Sequence, residues 1–351
     1  MKLSQISIKP IIESLKFQDI DDDTYFSKRY NNYISNSRLS KINPEQSGSP
    51  VEFFVNWGKT KLNTVSLAFG SNLHTLVLQP EDYFLTTVNK PTAKMGEMAD
   101  YLYKKTKGLN VTNDLILEAS DHCDYYKGCM NDTKIAKVLS ECEQYWKDRT
   151  VFAETNTDTR IPIFTDIKSR DKLGSCLEAL NNNKAIQALL HPKGNLEEPI
   201  TGNERAILLD VLVEAPEHKP FILKLKAKLD HFCINKETGT IVVNDLKTTG
   251  DLVSNFAKEA LIKYHYYREM AEYCWMLSLV AKKYYDISKP KIQSNFLVVE
   301  TISGFYTKVV PMTRELFNKG FKEFTYLVKL VAFYCMHGYE GFGVDPKTEL
   351  Q

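Results

Sequence analysis

The chain has 351 residues, and its 45 lysines and arginines almost balance its 44 aspartates and glutamates. This length exceeds that of one small domain but is typical of an α/β enzyme with a helical elaboration. The balanced charge excludes a strongly basic nucleic-acid binder, so any attraction to DNA has to come from local clusters of lysine. No apolar run approaches the roughly 20 residues that span a bilayer, which predicts a soluble protein without a membrane partner.

The chain divides by pattern into three parts. Residues 1–34 are polar and predict an N-terminal arm or extension. Residues 35–200 contain segments with helical spacing, such as KMGEMADYLYKKTKGL and KIAKVLSECEQYWKDR, and predict a mainly helical part. The breaks NTDTRIP and HPKGNLEEPITG interrupt these helices. Residues 201–345 are rich in β-branched segments and predict the core domain.

The core domain is expected to contain four strands and two helices. The strands are predicted at 221–234, 240–248, 292–301 and 305–311, and the helices at 254–285 and 313–336. On the first of these helices, the spacing of Tyr264, Tyr267 and Trp275 favours core packing. The predicted fold class is α/β (α+β), with a mixed sheet flanked by helices and a helical N-terminal elaboration.

The segment KLKAKLDHFCINKETGTIVVNDLKTT predicts a β-hairpin, because turn residues separate two β-branched runs. Alternate side chains of a strand share a face. A turn centred near residue 237 places Asp230 and Asp245 opposite each other, about 5 Å apart. Each acid shares its face with neighbours on its own strand: Lys224, Lys226 and Lys228 on the first, and Ile241, Val243 and Lys247 on the second.

Two carboxylates at this separation repel each other unless a cation or a shared proton relieves them. Mg²⁺ prefers carboxylate oxygens and binds through one or two acids plus substrate phosphate. Lys247 would then orient or deprotonate the attacking water, or neutralise charge that develops on the phosphate. The alternative is a solvated strand face on which Asp230 and Asp245 pair with lysines.

The string GTIVVNDLKTTGDLVSNFAKEALIKYHYYREMAEYCW resembles the core of the PD-(D/E)xK nucleases, specifically the RecE-like group (exodeoxyribonuclease VIII and its phage relatives). In that group a strand that ends in D-x-K-T-T precedes an aspartate-containing turn and a tyrosine-rich helix. LAFGSNLHTLVLQPEDYF is similar to the group's amino-terminal G-S-x-x-H-T-L-x-L-x-P segment. With Glu214 at the place of a glutamate before the first core strand, the resemblance runs from about residue 35 to residue 341.

The resemblance implies roles for individual residues. Asp230 and Asp245 would bind the metal, the carbonyl of Leu246 would complete its shell, and His74 would assist. Lys247 would orient or deprotonate the attacking water. Imidazole suits Mn²⁺ better than Mg²⁺, so we expect activity with either ion and none with Ca²⁺.

The chain departs from the group's pattern at two positions. The helix carries Glu269 and Tyr273 where the group has Q-x-x-x-Y, and residues four apart share one helical face. A carboxylate at residue 269 could add a metal ligand or repel the phosphate. Lys228 replaces an arginine and keeps its charge without the bidentate fork. The possible DNA contacts are Lys224, Lys226, Lys228 and Tyr266.

The resemblance further implies a Mg²⁺-dependent exonuclease that resects linear double-stranded DNA from 5′ ends and leaves 3′ single strands for recombination by annealing. It implies a RecT-like annealing protein as partner, a homo-oligomer such as a ring-shaped tetramer, and a phage gene expressed in a bacterial cytoplasm. Two other classes stay open. One is a catalytically impaired DNA-binding module on a nuclease fold, and the other is an endonuclease or single-strand nuclease of a defence system.

Seven cysteines without disulfide-framework spacing predict a reducing compartment, and no secretory leader is visible at the first residues. The group of His122, Cys123, Cys129 and Cys142 lacks paired C-x-x-C spacing, which argues against a structural zinc. Some related nucleases hold an iron-sulfur cluster through cysteines on both sides of the core. Here only Cys335 lies beyond the core and its helix, so we expect no such cluster.

Overall fold

The computed structural model describes residues 2–55, 65–193, 199–302 and 304–338. The chain forms two compact units: the first combines Met1–Leu62 with Ala179–Gln351, and the second is Asn63–Glu178. This division differs from the boundaries at residues 34 and 200 that the sequence pattern predicted. The reason is that the first 34 residues supply strands to the main sheet of the first unit instead of forming a separate arm.

The described residues form ten strands, each rich in apolar or β-branched side chains that suit a sheet partly covered by helices. In chain order they are β1 (Ser7–Pro10), β2 (Lys16–Asp19), β3 (Tyr33–Ile34), β4 (Tyr83–Asn89), β5 (Ile161–Thr165), β6 (Ile200–Ala215), β7 (His218–Asn235), β8 (Thr240–Thr249), β9 (Lys291–Glu300) and β10 (Thr307–Pro311).

Twelve α-helices lie in the described parts of the chain, and none of them is both long and apolar enough to cross a membrane. They are α1 (Asp22–Tyr25), α2 (Asn36–Leu39), α3 (Pro50–Val55), α4 (Val65–Leu78), α5 (Ala93–Thr106), α6 (Asn113–His122), α7 (Asp132–Thr155), α8 (Ile167–Asn182), α9 (Lys184–Leu190), α10 (Ala260–Lys263), α11 (Tyr266–Tyr285) and α12 (Arg314–His337).

The first unit is built on a mixed sheet with the strand order β1-β6-β7-β8-β9-β10. Strands β8 and β9 are parallel, and β6, β7 and β8 form an antiparallel meander. Strand β2 also pairs with β6, and the short β3 runs parallel to β7. Helix α11 packs on β7 and β8, and α12 packs on α11. The predicted α+β class, a mixed sheet flanked by helices, is confirmed.

The core of the first unit lies between this sheet and its helices. Leu225, Val243 and Phe296 contribute from the sheet, and Met270 and Leu327 contribute from α11 and α12. Alternation along the strands produces this arrangement, because each strand turns every second side chain towards the helices. The sheet face is therefore fixed, and with it the side on which Asp230 and Asp245 lie.

The second unit has its own two-stranded parallel sheet, β4 with β5, and the helices α4 to α7. A separate core forms around Met98, Leu102, Val138 and Trp146, where α5 packs on α7. The indole N–H of Trp146 donates to the carbonyl of Ala99 at 2.9 Å, which satisfies its polar atom within the core. The helical content expected here is present, while the two strands were not predicted.

The hairpin agrees closely with its prediction, but the helix expected at 254–285 does not form as one element. It consists of α10 and α11, which are separated at His265. His265 has φ 53°, a left-handed conformation that interrupts a right-handed helix. The interruption also changes the environment of Tyr264, which is 50% exposed instead of lying in the core. Tyr267 is buried as predicted.

Candidate active site

The two aspartates of the hairpin lie next to each other on neighbouring strands. His231 pairs with Asn244 across the β7–β8 ladder, so the next positions along the strands are Asp230 and Asp245. The backbone N–H of Leu246 donates to Oδ2 of Asp230 at 2.8 Å, which ties the two strands together at this point. The register predicted from the turn is therefore the observed one.

Asp245 is the more deeply buried of the two aspartates, with 1% of its surface exposed. Its Oδ2 forms an ion pair with Lys247, while its Oδ1 has no hydrogen-bond partner among the residues that the structure describes. Burial raises the pKa of Asp245 to about 8, since the attraction of Lys247 is partly offset by the charges of Asp230 and Glu269. A buried carboxylate oxygen without a donor is unfavourable unless a cation or a proton joins it.

Lys247 forms an ion pair with Asp245. Its Nζ lies 2.8 Å from Oδ2 of Asp245 and 3.3 Å from Oε2 of Glu269, and it stands 4.8 Å from the centre of the Tyr266 ring. Burial lowers the pKa of Lys247, but the charges of Asp245 and Glu269 outweigh burial and hold this pKa well above its usual range. The side chain is therefore an ammonium ion.

Glu269 and Tyr273 lie on one face of α11, as their spacing predicts. The Tyr273 hydroxyl donates to Oε1 of Glu269 at 3.0 Å, which leaves Oε2 directed at Lys247. Burial raises the pKa of Tyr273 well above its usual value, and the nearby carboxylates raise it further. Tyr273 is thus a neutral donor that fixes the orientation of Glu269.

Glu204 belongs to the same site, although the sequence did not identify it. Its neighbours on β6 pair with His231 and Leu229 of β7, so Glu204 lies opposite Asp230. Carboxylate oxygens of Glu204 and Asp230 lie within 4.8 Å of each other. Glu204 has φ 50°, an uncommon conformation for a strand residue, of the kind that clusters at functional sites. Its only signal in the sequence is a charge within a long β-forming segment.

Glu214, the glutamate placed by the resemblance, lies elsewhere. It is near the other end of β6, where its register partner is Ser7, and its Oε2 forms an ion pair with Lys9. Both side chains of this pair are more than one-third exposed. A surface ion pair of this kind contributes little to stability, and Glu214 has no contact with the aspartates of the hairpin.

His74 lies on α4 in the second unit and is half-buried. Leu73 and Leu76 of the same helix are buried, so His74 lies next to the apolar face of α4. The proposed part of His74 in metal binding stays a prediction. The proposed metal contact of the Leu246 carbonyl also stays a prediction. The observed contact of Leu246 is the hydrogen bond from its backbone N–H to Asp230.

Lys226 does not belong to an exposed basic surface, contrary to its assignment as a DNA contact. It is 6% exposed, its Nζ donates to the carbonyl of Tyr25 at 2.8 Å, and it stands 4.3 Å from the centre of the Tyr25 ring. Burial, together with the charge of Arg38, lowers the pKa of Lys226 to about 8. The N-terminal segment covers this lysine, which strand alternation alone could not reveal.

The flanking lysines of the same strand also contact residues outside the hairpin. Lys224 stands 5.6 Å from the centre of the Tyr33 ring. Lys228 forms ion pairs with Asp22 and, at 3.1 Å, with Glu204. Of the predicted DNA contacts, Lys228 and Tyr266 therefore lie beside the acidic site, whereas Lys224 faces the N-terminal segment.

The residues present fit a divalent cation. Glu204, Asp230, Asp245 and Glu269 supply four carboxylates, against the two ammonium ions of Lys228 and Lys247. The Oδ1 of Asp245, which has no partner among the described residues, offers a buried ligand atom, and carboxylate oxygens are ligands that Mg²⁺ and Mn²⁺ prefer. A cation here would relieve both the repulsion among the acids and the burial of Asp245.

No protein-family model matches the sequence, and no curated protein matches it. Among solved structures, the chain is similar to a protein of Eubacterium rectale that is described as a candidate exonuclease. The sequence identity is 10% and the TM-score is 0.46, and the match covers 90% of this chain and 86% of that chain. A likeness at this level carries no argument about activity, so the function rests on the site itself.

Proposed function

We propose that the protein is a Mg²⁺-dependent DNA exonuclease that hydrolyses phosphodiester bonds of linear double-stranded DNA. The observation that supports this most strongly is Asp245, a buried acid beside Asp230. Its Oδ2 pairs with the ammonium of Lys247, and its Oδ1 has no partner among the described residues. A carboxylate pair with an adjacent lysine suits hydrolysis of a phosphate diester, in which negative charge develops on oxygen.

A bound divalent cation would lower the pKa of a coordinated water and neutralise charge on the phosphate. Asp230, Asp245 and Glu204 would hold the ion, with His74 assisting, and Mn²⁺ would replace Mg²⁺. Lys247 is held in its charged form by two carboxylates, so it acts as an electrostatic stabiliser of the phosphate and not as a base. Tyr273 keeps Glu269 oriented towards Lys247 and thereby positions the ammonium.

The finer features of the proposal rest on the resemblance to the RecE-like nucleases. They are resection from 5′ ends, 3′ single strands for recombination by annealing, a RecT-like partner, and a homo-oligomer such as a ring-shaped tetramer. A phage gene expressed in the bacterial cytoplasm fits the same role.

The test uses linear duplex DNA labelled at either the 5′ or the 3′ end, together with covalently closed circular DNA. With Mg²⁺ we expect loss of the linear DNA alone, early release of the 5′ label as short products, and no reaction in EDTA or Ca²⁺. Cutting of the closed circle would contradict an exonuclease and identify the endonuclease alternative. Early release of the 3′ label would contradict the proposed polarity.

A second candidate function is a DNA-binding module without catalysis. The ion pair between Glu269 and Lys247 favours it, because that carboxylate neutralises the cation that would otherwise meet the phosphate. Metal-dependent DNA binding without cleavage in Mg²⁺ or Mn²⁺ would identify this function. Appearance of cleavage in Glu269→Gln would then show that the charge at residue 269 had suppressed it.

A further inference from the structure

Aromatic rings extend from the core of the first unit to its surface beside Lys247. Phe256 and Phe296 are buried, and both contact Tyr266, whose ring stacks on Phe256 at 5.9 Å and 14°. Tyr266 in turn contacts Tyr264 at 5.5 Å between ring centres. The buried pair fixes Tyr266, and Tyr266 supports Tyr264 at the surface.

Tyr264 is the exposed end of this series, with half of its surface accessible. Its inner side contacts Tyr266, so the exposed part of the ring is free of the core. Lys263 places its Nζ 5.3 Å from the centre of the Tyr264 ring. A flat aromatic surface with an adjacent ammonium is the combination that binds nucleotides, because the ring stacks on a base while the cation attracts phosphate.

The backbone around Tyr264 is held by buried contacts. The neighbouring His265 has φ 53°, and its Nδ1 lies 2.7 Å from Oε1 of Glu323 on α12. The hydroxyl of Tyr267 donates to the other oxygen of Glu323 at 2.7 Å, and Arg268 donates to Oε1 at 2.8 Å. These bonds fix the break between α10 and α11, and with it the position of the Tyr264 backbone.

We propose that Tyr264 and Lys263 form a stacking site for one nucleobase of the DNA strand that enters the active site. The inference rests on the proposed function and extends it to a second contact. Nζ of Lys247 lies 4.8 Å from the centre of the Tyr266 ring, and the centres of the Tyr266 and Tyr264 rings lie 5.5 Å apart. This path of at most about 10 Å corresponds to three stacked nucleotides at about 3.4 Å each. The site would take any base, because every base has an aromatic face.

The experiment is a double-mutant cycle between the protein and the DNA. Binding of fluorescent linear duplex is measured by anisotropy with Ca²⁺, for intact DNA and for DNA with single abasic sites at each of the first three terminal positions of either strand. We expect one abasic position to weaken binding to the wild type about tenfold, and to leave the already weakened binding of Tyr264→Leu unchanged. Tyr264→Phe should bind as the wild type, because its ring is retained.

Tyr326→Leu is the matched control, since Tyr326 is exposed to a similar degree on α12 and outside the aromatic series. Equal effects of abasic sites on the wild type and Tyr264→Leu would overturn the stacking site, and the proposed function would survive if the wild type still degraded linear DNA. A change of oligomeric state in Tyr264→Leu, with unchanged affinity per site, would assign the ring to contact between copies instead. Absence of both binding and cleavage in the wild type would reject the proposed function itself.

Discussion

Lys247 and Glu269 form a 3.3 Å ion pair between strand β8 and helix α11. The pair couples the strand that carries Asp245 to the helix that carries Tyr273. It also helps to hold the lysine in its charged form, because Asp245 and Glu269 together raise the pKa of Lys247 against the effect of burial. Glu269 is therefore a partner of the lysine.

Glu269→Gln should shift the pH dependence of metal binding to lower pH. The negative charge of Glu269 contributes to the raised pKa of Asp245, so its removal lowers that pKa and frees the carboxylate for a cation at lower pH. Calorimetric titration with Mn²⁺ at pH values from 6 to 9 measures this. Wild-type affinity should rise up to about pH 8 and then level off. An unchanged midpoint would contradict the coupling, and loss of binding would show that Glu269 is itself a ligand.

Asp245→Asn should stabilise the metal-free protein, and more so at high pH. The folded-state pKa of Asp245 is about 8, above its ordinary value of 3.8, so the folded state holds the proton more tightly than the unfolded state. The stability that this proton contributes is complete below about pH 3.8 and is lost as pH rises through about 8. Thermal unfolding in EDTA should show a larger gain for Asp245→Asn at pH 8.5 than at pH 5, by about 3 °C or more. An equal gain at both values would contradict the raised pKa.

Glu204→Gln should weaken Mn²⁺ binding and DNA cleavage by about 10- to 100-fold, because Glu204 faces Asp230 and orients Lys228. Glu214→Gln is the control on the same strand, and it removes only an exposed ion pair with Lys9. It should keep both properties within about twofold. Equal losses in the two variants would mean that charge on β6, and not the position of Glu204, is responsible.

Lys226→Met should leave the affinity for DNA within about twofold of the wild type, since the ammonium is buried under Tyr25 and meets no surface. The methionine keeps the apolar stem of the side chain. Lys263→Met, which removes an exposed cation, should weaken binding and reduce its dependence on salt. Fluorescence anisotropy at several salt concentrations distinguishes the two variants. A tenfold loss for Lys226→Met would return this lysine to the DNA-binding surface.

The hairpin and its two acids could be predicted because the pattern is local. Strand alternation and the turn at residues 235–239 fix the register of Asp230 and Asp245 without knowledge of the rest of the chain. Helical spacing likewise indicated that Glu269 and Tyr273 share a face. The class of fold followed from the same local patterns.

The contributions of distant segments could not be predicted. The burial of Lys226 depends on Tyr25, two hundred positions upstream. The role of Glu204 depends on a left-handed backbone conformation inside β6, which leaves no residue-type signal when the residue is not glycine. The break at His265 depends on Glu323 of α12, and it converts Tyr264 from an expected core residue into an exposed one.

In the proposed function, Asp230, Asp245 and Lys247 form a metal-dependent site for phosphodiester hydrolysis. The most direct test is single-turnover cleavage of linear duplex DNA with increasing Mg²⁺, for the wild type, Asp245→Asn and Lys247→Ala, with circular dichroism to establish folding. We predict Mg²⁺-dependent cleavage by the wild type and losses of at least about 100-fold in both folded variants. Wild-type rates in folded Asp245→Asn, or cleavage that persists in EDTA, would contradict the account.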